Sequence, residues 1–187
     1  GSGIIHQELP RGDDEGKMEG FQLWANLPAS DKMSHPRYRD ITAEQIPAVT
    51  LPGGAMIKVI CGRVGDVSGP VQDVTIEPQF LDVRLPQGAT LVHPTPAGHT
   101  VFAYVYAGSG RFDGTTQELH GDRSLVLFAG GDQVVITAGE EELCFLLVAG
   151  KPLNEPVAWG GPIVMNTQKE LTLAFDELKN KTFIKHA

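Results

Sequence analysis

Phe80-Leu81-Asp82-Val83-Arg84-Leu85 alternates without a break. In an extended chain successive side chains point to opposite faces, so Phe80, Asp82 and Arg84 share one face and Leu81, Val83 and Leu85 the other. An aliphatic face backed by a mixed one describes a strand half-buried on a core. The stretches around it repeat the theme. Met56 to Ile60 is a short apolar run, and Val101 to Ala107, rich in aromatic and β-branched residues, stops at the tight turn Gly108-Ser109-Gly110. Ser124 to Phe128 ends at Ala129-Gly130-Gly131-Asp132, Gln133 to Thr137 resumes, and Glu142 to Ala149 is the last long run. Short strands at near-regular spacing, separated by glycine turns, predict a sandwich or closed barrel between residues 48 and 150.

The chain ends read differently. Gly1 to Glu8 looks like a glycine turn entering a strand, Pro10 to Gly20 a polar loop, and Phe21 to Asn26 a second half-buried strand. Residues 27–47 are rich in Pro, Asp and Arg and read as an extended linker, with a short strand near Arg39-Asp40-Ile41. Lys169 to Lys179 spaces Leu171, Leu173, Ala174, Phe175 and Leu178 at helical intervals, and Asn166-Thr167 can cap the helix.

With 41% hydrophobic residues the 187-residue chain can bury a substantial core. A net charge of -8 offers no basic patch for phosphates, which argues against direct nucleic-acid binding. No apolar run approaches membrane-span length, so no membrane partner is expected. Cys61 and Cys144 have no zinc spacing and read as buried thiols in a reducing compartment, hence a cytoplasmic protein.

Few residues carry chemistry. On a strand, His6 and Glu8 project to the same side, and an imidazole converging with a carboxylate suits a divalent iron or manganese ion. The same triplet on an exposed strand would simply be solvated, and the residues alone leave both readings open. His93 and His99 lie six apart with Pro94 and Pro96 between them. A metal-binding barrel motif wants a His-x-His pair followed by a glutamate. The expectation here is therefore a loop histidine (His93) and a strand-start histidine (His99) packing at the barrel mouth, without a metal. Glu140 to Glu142 reads as a solvated turn, and Trp24 and Trp159 as core or interface aromatics.

Several stretches together resemble the pirin family. They are Gly1 to Pro10, Gly20 to Pro28, Lys32-Met33, Pro36-Arg37-Tyr38, Ala149 to Pro156, Gly161 to Thr167 and the tail Thr182 to His186. The resemblance implies an all-β cupin fold (a double-stranded β-helix or jelly-roll barrel). It would carry a remnant of a second cupin barrel and one C-terminal helix. Residues 1–30 would be the remnant of an N-terminal barrel, 31–48 a linker, 49–150 the C-terminal barrel and 151–187 an extension with the helix. Pirins resemble quercetin 2,3-dioxygenases, in which one Fe in the N-terminal barrel is held by three histidines and a glutamate. Position by position, His6 and Glu8 match the last histidine and the glutamate, and Glu8 matches the proton acceptor for a flavonol hydroxyl. The remaining His-x-His pair has no counterpart here. The chain is therefore expected to be a truncated form, inactive and without iron, with exposed Phe21, Leu23 and Trp24. Association of two such chains through that remnant is the alternative to a fragment. The resemblance also implies a second role, that of a redox-sensitive coregulator docking on a transcription factor or a metabolic enzyme without turnover.

Overall fold

The computed structural model describes residues 2–7, 9 and 11–185. The chain divides into two units, Asp40–Pro152 on one side and Gly1–Arg39 with Leu153–Ala187 on the other.

In Asp40–Pro152 the alternating stretches become strands. They are β1 (Ala48–Thr50), β2 (Met56–Cys61), β3 (Arg63–Val64), β4 (Val67–Ser68), β5 (Gln79–Leu85), β6 (Thr90–Pro94), β7 (Thr100–Ala107), β8 (Ser109–Arg111), β9 (His120–Gly121), β10 (Leu125–Leu127), β11 (Gln133–Ala138) and β12 (Leu143–Gly150). Two sheets carry the unit, ordered β1-β2-β5-β12-β7-β10 and β6-β11-β8-β9, with β3-β4 a separate small hairpin. Each sheet has its own ladders, so the cupin barrel is an open sandwich of two sheets.

Register explains why the quoted stretch decides the fold. Leu81, Val83 and Leu85 of β5 pair with Leu147, Phe145 and Leu143 of β12, and Leu81 and Val83 also pair with Val59 and Ile57 of β2. All of these side chains are buried, and Leu91, Val134 and Ile136 of the second sheet join the same core. Each such side chain stabilises the fold by roughly 1.5–3 kcal/mol relative to leaving it in water. Phe145 anchors the core, with Phe112 edge-on at 5.7 Å between ring centroids. The turn at Gly108 requires glycine twice over, because its φ is +73° and an added Cβ would collide with the Glu142 carbonyl.

In the other unit, β13 (Ala158–Gly160) and β14 (Ile163–Met165) form a hairpin beneath α1 (Gln168–Lys179). Leu171 and Ala174 bury the helix's inner face against Ile163, with Leu178 and Phe183 packed around them. Thr167 caps the helix as its sequence predicts. Its Oγ1 accepts from Glu170 N–H at 3.3 Å, while Glu170 Oε2 accepts from Thr167 N–H at 2.8 Å.

The structure corrects several expectations. Described residues 2–7, 21–26 and 39–41 form no strand. A strand needs a neighbour to pair its N–H and C=O groups, and alternation alone does not supply one. Phe21, Leu23 and Trp24 are exposed, as the resemblance implied, and Trp24 and Trp159 lie outside the core. His93 belongs to strand β6 instead of a loop. The two prolines hid that strand. Pro94 ends β6, which sits at the edge of its sheet and bonds only to β11, so the missing N–H costs no ladder bond on the open side.

Candidate functional site

The sequence-predicted ligands do not assemble a metal centre among the described residues. His6 is exposed and lies in no strand, while Glu8 falls outside the described residues. No group of three His, Cys, Asp or Glu side chains gathers anywhere among the described residues. Among the described residues there is thus no complete three-histidine, one-glutamate donor set.

Inside the sandwich, β6 turns Leu91 and His93 toward the core, His93 only 3% exposed, and Thr95 just beyond the strand is buried as well. His93 Nε2 lies 3.0 Å from Gln79 Oε1, and Gln79 Nε2 donates to the Arg63 carbonyl at 3.0 Å. The second bond fixes the first. With its NH₂ committed to Arg63, Gln79 presents its oxygen to the imidazole, so His93 carries its proton on Nε2. Burial holds the His93 pKa below the usual imidazole range, and the ring is neutral at pH 7. Gln79 lies on β5 and His93 on β6, so this hydrogen bond ties together two sheets that share no ladder. His99 directly precedes β7, which begins at Thr100, and follows a turn in which its N–H donates to the Pro96 carbonyl at 3.1 Å, with Gly98 at φ +81°. Its Nδ1 is buried without a hydrogen-bond partner. Sequence reading found His93 and His99 but missed Gln79 and Thr95. The signal for Thr95 was available in its place two residues beyond His93.

Two further constellations lie elsewhere in the same unit. A cavity of about 420 Å³ is lined by Cys61, Ser68, Gln72, Asp73 and Glu77 among others. The Cys61 thiol donates to the carbonyls of Val71 at 3.1 Å and Pro78 at 3.3 Å, and burial pushes its pKa up. It stays protonated near neutral pH and is a poor nucleophile. On the outer face of the larger sheet, Tyr106 donates to Asp82 Oδ1 at 2.5 Å, and Lys58 lies 3.9 Å from Asp82 Oδ2. Burial, and then the Asp82 carboxylate, raise the Tyr106 pKa, which keeps the phenol protonated. Cys144 is held the same way, its thiol raised by burial and by Glu142. None of these groups is poised as a base or nucleophile at pH 7.

No helix among the described residues is long and apolar enough to cross a membrane.

Comparison with known proteins gives the lineage. The pirin C-terminal cupin domain matches residues 80–184. A protein of Thermoplasma acidophilum, provisionally named a quercetin 2,3-dioxygenase, is 35% identical across 100% of this chain and 77% of its own length. A pirin-like protein of Caulobacter vibrioides is 38% identical over 98% of this chain but only 65% of its own. Among solved structures, a quercetin 2,3-dioxygenase from Acinetobacter baumannii superposes with a TM-score of 0.78 at 31% identity, covering 86% of this chain and 55% of that one. The chain thus spans between about half and three quarters of the length of these relatives. With the two-sheet cupin fold and these matches together, the chain belongs to the pirin family.

Proposed function

We propose that the protein belongs to a pirin-type oxygenase acting on a flavonol-like substrate, and that the Asp40–Pro152 sandwich is its metal-free scaffold. The observation that carries this reading is the likeness to the Acinetobacter quercetin 2,3-dioxygenase over 86% of the chain. In this reading residues 1–30 belong to a first cupin barrel, 31–48 to a linker, 49–150 to the second barrel and 151–187 to its extension. His6 and Glu8 would be two of the protein ligands of an iron ion. The other two must be histidines, and the sequence holds no His-x-His pair to supply them. In a barrel that also supplied those histidines, Glu8 would accept the proton of the flavonol hydroxyl; without them the 187-residue chain is inactive toward flavonols. The protein is cytoplasmic in this reading, with Cys61 and Cys144 kept reduced.

The test uses the purified 187-residue chain. Metal analysis should find iron well below one ion per chain. Oxygen uptake and the loss of the quercetin absorption band should match a protein-free control. Stoichiometric iron with quercetin turnover would overturn the inference that this chain alone is inactive.

A second reading, a binding module that docks on a transcription factor or metabolic enzyme without turnover, is favoured by one feature. Leu125 and Leu127 are 64% and 68% exposed on β10, an edge strand of the larger sheet. Exposed leucines on an open edge suit strand addition or apolar docking. If that reading holds, Leu125→Lys with Leu127→Lys should abolish a partner's binding in either iron state. Unchanged affinity would sink it.

A further inference from the structure

We infer that the Glu155 carboxylate clasps residues 26–34 onto the C-terminal extension, so that residues 31–34 belong to this clasp and not to a linker. Glu155 is held ready by its own neighbours. Asn154 has φ +53°, a left-handed conformation that asparagine tolerates better than most residues, and Pro156 follows. The Asn166 side-chain amide donates to Glu155 Oε2 at 2.9 Å and to the Pro156 carbonyl at 3.0 Å, which fixes the carboxylate from within the extension. The same oxygen accepts the Ala29 N–H at 2.8 Å, across 126 positions of sequence. Ala29 opens the single 3-10 turn Ala29–Asp31, and the residue before it, Pro28, makes no side-chain cap. The first N–H groups of a helical turn have no partner within it, so this one is satisfied from the other end of the chain. A second tie follows. Lys32 is 6% exposed and donates to Asn26 Oδ1 at 2.7 Å. Burial disfavours its charge, and the Glu155 and Glu170 carboxylates offset that. One carboxylate thus both caps the turn and compensates a buried ammonium.

Hydrogen bonds to a charged group are the stronger ones, and losing this one leaves Lys32 buried with less compensation. The segment should then open and expose the lysine. The clasp is a property of this chain; that it supports an iron-binding barrel rests on the reading above.

Trypsin acting on the purified full chain reads that opening. Lys32–Met33 and Lys17–Met18 are the same Lys–Met bond, the first with a buried lysine and the second with a side chain 71% exposed. Cleavage tracks the population of the open form when reclosing is fast, so the parent should be cut after Lys32 at least about tenfold more slowly than after Lys17. Two variants attack the contact from opposite sides. Glu155→Ala removes the acceptor and leaves Asn166 its bond to Pro156. Ala29→Pro removes the donor and leaves the extension untouched. Proline suits the first position of a helical turn, and Pro28, at ψ 159°, already has the extended backbone that a following proline requires. Each variant should raise cutting after Lys32, relative to Lys17, by about tenfold or more. The double variant should do no more than Glu155→Ala alone, because both changes break one contact. A parent cut equally fast at the two bonds, a single variant without effect, or effects that multiply as independent damage would, overturns the clasp. None of these measurements involves iron or a flavonol, so the clasp and the proposed activity fail separately.

Discussion

Acidification should destabilise the cupin sandwich through one buried imidazole. His93 is neutral in the fold because burial lowers its pKa, whereas the unfolded chain takes up a proton near the ordinary value of about 6.5. The sign follows from proton counts. Below about pH 6.5 the unfolded state binds more protons than the folded one, so stability falls as pH falls. It stops falling once the folded imidazole itself titrates. If His93 stays neutral down to pH 5.5, the loss is at most about 1.4 kcal/mol, one pKa unit's worth. With a urea dependence of about 1–3 kcal/mol/M, the midpoint should move down by about 0.5–1.4 M between pH 7.5 and 5.5. Gln79 is the described hydrogen-bond partner of this ring, and burial alone accounts for its lowered pKa. His93→Gln keeps a donor for Gln79 without a titrating ring, so its urea midpoint should depend less on pH over the same interval by that amount. Far-UV circular dichroism of both proteins across the pH series measures the difference. Parallel pH profiles for the parent and His93→Gln would refute the reasoning.

Other consequences are direct. Phe145→Ala removes the aromatic anchor of the main core and should cost about 3–5 kcal/mol in urea unfolding. Thr167→Ala deletes the cap of α1 and should cost about 1 kcal/mol, read as earlier exchange of the amides in the first helical turn. Cys61 and Cys144 are both free and buried, with raised pKa values. A disulfide reagent at pH 7.5 should label neither in the native protein and both in denaturant, and rapid native labelling would contradict the assigned burial.

The sheet elements were legible where one face is buried and the other is not. Phe80 to Leu85 shows its inward leucines and valine in the letters, and the paired strand β12 shows a continuous apolar run because Cys144, Leu146 and Val148 on its outer face are buried too. The capped helix was legible because Thr167 and Glu170 stand three apart ahead of an amphipathic run. Strand β6 was not, because prolines usually end strands and only its place at a sheet edge tolerates Pro94. The predicted strands at residues 2–7 and 21–26 failed for the opposite reason. Alternation records which side of a strand would face a core, but says nothing about whether a partner strand is there. The chemistry was less legible than the fold. Gln79 carries no motif, and its role depends on β5 and β6 meeting across the core, a contact between residues fourteen apart in two different sheets.

That contact yields the sharpest separation between a brace and an idle polar pair. A histidine at an inward position of a cupin strand invites a metal reading, yet its Nε2 proton is engaged by Gln79. The bond joins the two sheets where no ladder does. Gln79→Met keeps the volume but leaves the His93 N–H buried without an acceptor and the Arg63 carbonyl without this donor. Leaving a buried polar group unsatisfied costs about 1–3 kcal/mol, more than the net worth of the bond itself. His93→Phe alone strands the Gln79 oxygen, at a smaller cost because Gln79 is only half-buried. When both are replaced, the orphaned imidazole and amide vanish together, so the double variant should lose less than the sum of the singles by at least about 0.5 kcal/mol. Urea unfolding of the four proteins measures that coupling. Strictly additive losses would mean that the 3.0 Å contact contributes nothing as a brace, and His93 would then be only a tolerated core residue.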